Sequence, residues 1–104
     1  MITQKMRIGE VIRTLRHRRN LTQRALARRA GLTDSNLSRI ERGSVTPRLP
    51  LLADIAEALG IPLRLLLWWA APMPAAGSDV EATVWRQIEE LVDGLIDTYL
   101  THGL

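Results

Sequence analysis

Apolar residues recur along this chain at intervals of three and four, the spacing of one face of an α-helix. They do not alternate as in a half-buried strand. Within residues 5–18, Ile8, Val11, Ile12 and Leu15 share a face, which predicts a first helix. Gly9 interrupts that run at a cost of up to about 1 kcal/mol against alanine, so a tertiary contact has to hold it. Asn20 and Leu21 break the helix. Thr22 is suited to cap a second helix, Gln23–Ala30, because its hydroxyl can accept from an orphan N–H, and Gly31 suits the left-handed stop. Thr33 caps a third helix running to about Arg42, with Leu37 and Ile40 inward, and Gly43 fits its end. Pro47 and Pro50 bracket the start of a fourth helix, Leu49–Leu59, with Leu52, Ile55, Ala56 and Leu59 inward; Gly60 ends it. Pro62 fits the first turn of a fifth helix, Leu63–Trp69. The expected class is all-α: a five-helix domain over residues 5–69, a Pro- and Ala-rich linker over 70–77, and an appended C-terminal helix within 78–104. Ser78-Asp79-Val80-Glu81 reads as a capping box opening that last helix, which continues to about Leu100.

The third helix carries the candidate chemistry. Opposite its inward pair, Ser35, Ser38, Arg39 and Arg42 form one stripe, with Asp34 and Asn36 flanking it in the first turn. Short hydroxyls beside two arginines can approach base edges and phosphates; bulky apolar residues there would call for another protein. Charge agrees. Residues 1–69 hold thirteen Lys/Arg against five Asp/Glu, net +8, whereas residues 70–104 hold one Arg against six Asp/Glu, net −5. A basic body with an acidic tail suits a polyanion partner. Arg24, Arg28 and Arg29 read as a solvated basic face attracting DNA at long range.

Other classes fit less well. There is no cysteine for a disulfide or thiolate site, and His17 and His102 lie far apart without a paired nucleophile. Neither a phosphate-cradling glycine loop nor a metal-ligand spacing occurs, so no catalysis, metal or cofactor is expected. No window of eighteen apolar residues and no signal-like start occur, so the expectation is a cytoplasmic protein without a membrane partner.

From Ile8 to Leu67 the chain resembles the phage-repressor-like, or XRE-type, helix-turn-helix family. The resemblance rests on Arg16, Thr22-Gln23, Leu26-Ala27, Gly31, Leu37-Ser38-Arg39-Ile40-Glu41-Arg42-Gly43, Pro47 and the Ala-Glu-Ala-Leu-Gly-Ile of residues 56–61. It implies that Asp34, Ser35, Asn36, Ser38 and Arg39 read bases in the major groove of double-stranded DNA. It assigns Thr22, Gln23, Arg42, Ser44 and Arg48 to phosphates, with Gln23 also buttressing the third helix. For Asp34 two roles stay open: a helix-start acid stabilised by the dipole, or an acceptor for a cytosine amino group. Arg16 and Glu41 are implied to form a partly buried structural ion pair. The sequence departs from the family where Arg48 stands in place of a Ser or Thr cap for the fourth helix, and where Pro62 replaces another cap.

The sixth helix presents Val84, Ile88, Leu91, Leu95 and Tyr99 along one face, widened by Trp85, Val92 and Ile96. Such a stripe packs on its own domain, a second copy or another protein. The favoured expectation is a homodimer built from these residues together with Trp68 and Trp69. In function this reads as a sequence-specific transcriptional regulator, most simply a repressor on a palindromic operator. The alternatives are an antitoxin whose tail neutralises a toxin, and a restriction–modification controller.

Overall fold

Cap and turn residues set the ends of the second, third and fourth helices. The computed structural model describes residues 7–72 and 75–102 and contains α1 (Ile8–Arg18), α2 (Gln23–Ala30), α3 (Asp34–Glu41), α4 (Leu49–Leu59), α5 (Leu63–Ala70) and α6 (Asp79–His102), with no strand among the described residues. The Thr22 and Thr33 hydroxyls accept from the N–H groups of Ala25 and Asn36 at 3.0 and 3.1 Å, each capping its helix. Gly31 and Gly60 close α2 and α4 in the left-handed region, both at φ 75°. After α3, Gly43 at φ 81° lets its own N–H reach Ile40 O and that of Ser44 reach Arg39 O. This turn satisfies two carbonyls that the helix end leaves free. Arg48 caps α4 by backbone position alone, and Pro50 follows within the first turn. Pro62 stands one residue ahead of α5 rather than inside it. The expected start at Lys5, two linker residues (73–74) and the last two residues lie outside the described residues.

The faces chosen by periodicity meet in one core. Ile12, Leu15, Leu26, Leu37, Ile55, Leu59 and Leu66 are buried to below 2 % exposure, joined by Val11, Ala27, Ile40, Leu52 and Ala56. α1 lies at the centre, packed on α3, α4 and α5, while α2 packs on α3 and α4. Gly9 explains itself here. A Cβ at that position would sit 2.3 Å from Ile40 O and 2.7 Å from Glu41 O, so only glycine lets α1 and the end of α3 approach so closely.

α6 folds back onto its own body. Ile96 is buried with the core, and Val92, Tyr99 and Leu100 pack partly against it. Trp85 meets Trp68 with ring centroids 6.1 Å apart. Arg18 pairs with Asp97. Arg19 donates to Leu59 O (2.7 Å) and Gly60 O (3.2 Å) at the end of α4, and to Tyr99 O (2.9 Å) and Leu100 O (3.3 Å) near the end of α6. One guanidinium thus serves the carbonyl ends of two helices, where a cation is favoured. The capping box forms with a shift: Ser78 Oγ accepts from Glu81 N–H, and the Glu81 carboxylate accepts from Gly77 N–H rather than from Ser78. Among the described residues no helix is long and apolar enough to cross a membrane.

Candidate nucleic-acid interface

The helix-turn-helix presents α3 outward because its other side is committed. Leu37 and Ile40 are buried, whereas Asp34, Ser35, Asn36 and Arg39 are exposed and Ser38 is half-buried. The phosphate candidates Thr22, Arg42, Ser44 and Arg48 are exposed as well, and Gln23 is half-buried. Thr22 uses an oxygen lone pair as a cap, which leaves its hydroxyl hydrogen free to donate to an anion.

Behind α3 lies a hydrogen-bonded lock. Arg16 Nε donates to Glu41 Oε2 at 2.7 Å and Nη2 to Oε1 at 3.0 Å, a two-pronged pair whose side chains are 9 % and 3 % exposed. Arg16 Nη1 also donates to Leu21 O at 2.9 Å, tying the α1–α2 connection into the same group. Gln23 Nε2 donates to Glu41 Oε1 at 3.1 Å. The expected Arg16–Glu41 pair is therefore present, and Gln23 buttresses α3 through Glu41, with its second amide hydrogen still free for a phosphate. No buried side-chain polar atom among the described residues lacks a partner. The lock fixes α3 against α1 and α2 without an unsatisfied group, the condition under which a buried charge pair is tolerated.

At the other end of α3, Asp34 meets Arg24 of α2, Nε to Oδ2, at 3.2 Å. Spacing along the sequence places Arg24 only on an outward basic face with Arg28 and Arg29, all three of which are exposed. The pair becomes visible once the turn folds the two first turns side by side. Arg19 and Arg18 are also missed by sequence reading. Their partners are backbone carbonyls and a distant aspartate, and neither leaves a motif.

The expected dimer residues on α6 divide between two faces, and Trp68 and Trp69 lie on α5. Ile96 is buried in the chain's own core, and Trp69, Val92 and Tyr99 pack partly against it, while Trp68, Trp85 and Ile88 are half-buried. Val84, Leu91 and Leu95 stay exposed, at 47, 74 and 46 %, together with Val80 at 75 %. Beside them Pro62, Leu63, Leu67, Leu95 and Tyr99 line an open groove of about 680 Å³.

Known proteins share this arrangement. The helix-turn-helix domain family matches residues 7–69. The chain belongs to the phage-repressor-like helix-turn-helix family. It is 40% identical over 62 residues to the immunity repressor protein of Bacillus phage phi105, covering 60% of this chain and 43% of the repressor. The restriction-modification controller protein C.AhdI from Aeromonas hydrophila superposes with a TM-score of 0.57 at 34% identity, over 59% of this chain and 92% of the controller. The clp gene regulator ClgR from Corynebacterium glutamicum superposes with a TM-score of 0.60 over 93% of this chain and 92% of that structure; at 24% identity it speaks for the fold alone. The chain spans less than half the length of the curated relatives it matches.

Proposed function

We propose that this chain is a sequence-specific DNA-binding transcriptional regulator, most simply a cytoplasmic repressor that occupies a palindromic operator as a homodimer. The observation that carries the reading is the exposed Ser35–Arg39–Arg42 stripe on a helix whose opposite side is locked by Arg16, Glu41 and Gln23. In this reading α3 enters the major groove with Ser35, Asn36, Ser38 and Arg39 at base edges and Asp34 at the groove margin. Arg39 forks onto guanine O6 and N7. Thr22, Gln23, Arg42, Ser44 and Arg48 hold phosphates, which fixes register without reading sequence. The net charge of +8 on residues 1–69 favours association and makes affinity steeply salt-dependent.

One recognition helix touches few base pairs, so a second copy is assigned to the exposed Val80, Val84, Leu91 and Leu95 stripe and the adjoining groove. Two copies would meet half-sites about 34 Å apart. The likeness to a restriction-modification controller supports the controller variant of the same DNA chemistry. Selection of binding sites from random duplexes tests the reading. An enriched motif with two-fold symmetry, bound by a particle near twice 11.7 kDa, is expected. No enriched motif would refute DNA reading. A clean monomer would remove the dimer, and a stoichiometric second protein on native purification would favour the antitoxin alternative.

A further inference from the structure

We propose that Arg24, on the second helix of the motif, is itself a base reader, a guanine-selective contact at the outer edge of each half-site, and that Asp34 is the positioning residue that aims it. The proposal rests on the DNA-reading function above. Arg24 sits in the first turn of α2 and Asp34 in the first turn of α3, and the turn between these helices sets the two side by side. The bond runs from Arg24 Nε to Asp34 Oδ2 at 3.2 Å. That choice of donor matters. A guanidinium held by Nε keeps both terminal nitrogens free, and among the described residues neither has a protein acceptor. Two parallel N–H donors with a fixed plane are the pattern that matches guanine O6 and N7.

Position adds to geometry. The first turn of α3 lies at the end of the exposed stripe away from Arg42, so a guanidinium fastened there extends the reading surface beyond Ser35 rather than duplicating Arg39. The pair is open to solvent, with side chains 76 % and 51 % exposed, so as a salt bridge it adds little to folding. Its charge balance suits a groove edge. A bare carboxylate facing phosphates is repelled, whereas one neutralised by Arg24 is not, and its Oδ1 remains available as an acceptor. Orientation of the fork is thus the pair's main effect, and Asp34 works through Arg24 rather than alone on a cytosine.

The test compares site selection from random duplexes for the full chain and for Arg24→Ala, Arg24→Lys and Asp34→Ala, with thermal melts beside each. Both positions are solvent-facing, so melting should move little for all three variants. The wild type is expected to enrich a guanine at the outermost read position. Arg24→Ala and Arg24→Lys should both lose that preference by roughly 5- to 100-fold while keeping the inner positions, because lysine restores charge but not the fork. Asp34→Ala should blur the same position and no other. Uniform weakening with an unchanged motif, rescued by lysine, would make Arg24 a phosphate contact and overturn the proposal. An unchanged motif and affinity would leave only a surface ion pair and overturn it too, as would Asp34→Ala acting at a different position. Failure of the wild type to enrich any motif would instead strike the DNA-reading function itself.

Discussion

Replacing Gly9 with alanine pits two well-defined effects against each other. Alanine is favoured over glycine by up to about 1 kcal/mol in a helix interior and by less in the first turn, where Gly9 sits, so propensity alone predicts a more stable protein. The structure predicts the reverse. The new methyl carbon would lie 2.3 Å from Ile40 O and 2.7 Å from Glu41 O, whereas carbon–oxygen contacts settle near about 3.3 Å or beyond. Both oxygens belong to the backbone of α3, so neither can rotate away, and the helix must retreat by about 1 Å. Overpacking of this kind costs about 1–3 kcal/mol, and two rigid contacts place it at the upper end. After the propensity gain, a net loss of about 2 kcal/mol remains, or about 8–16 °C in Tm for a domain of this size. The displaced atoms include the backbone of Glu41, so the lock behind α3 loosens with it. Circular-dichroism melts of Gly9→Ala and Gly94→Ala form the assay. Nothing lies within 4 Å of a Cβ at Gly94, so the same substitution there should raise stability by up to about 1 kcal/mol. A Gly9→Ala variant that melts at or above the wild-type temperature would refute the close approach of α1 to α3.

Three further outcomes follow from the same geometry. Glu41→Ala leaves the Arg16 guanidinium buried without its carboxylate and should cost about 3–5 kcal/mol in denaturant unfolding, while replacing both residues by apolar ones of similar volume should restore much of the loss. Ile96→Ala should cost about 2–5 kcal/mol if α6 is part of the folded body, with a change in tryptophan fluorescence as the Trp68–Trp85 contact loosens; wild-type stability would mean that α6 is not docked. Arg42→Ala should weaken binding to all duplexes alike and lower the slope of log affinity against log salt by about 1, whereas a changed motif would make Arg42 a base reader.

The elements that sequence reading places well are those governed by local rules. Thr22, Thr33, Gly31 and Gly60 act within a few residues of themselves, and they fix helix ends to within a residue. Periodicity likewise selects the buried faces, because burial follows the helical repeat. The cost of Gly9 is also legible, though its cause is not, since the carbonyls of α3 that require it are far off in sequence. What stays hidden are contacts made after assembly. Arg19 reaches the ends of α4 and α6, and Arg24 finds Asp34 only across the turn. α6 shows the same limit from another side. Its broad stripe declares that it must be covered, but its division into a face against Trp68 and the core and an exposed face of Val80, Val84, Leu91 and Leu95 depends on how the body is shaped.

The central claim is that α3 reads base pairs through its outward stripe, and Arg39 is the residue on which to test it. A double-mutant cycle crosses Arg39→Ala with replacement, one position at a time, of each guanine in the selected operator, and affinities are measured at fixed salt. One guanine per half-site should couple to Arg39 by about 1–3 kcal/mol, with the other positions additive. Losses that add at every position would contradict base reading by α3.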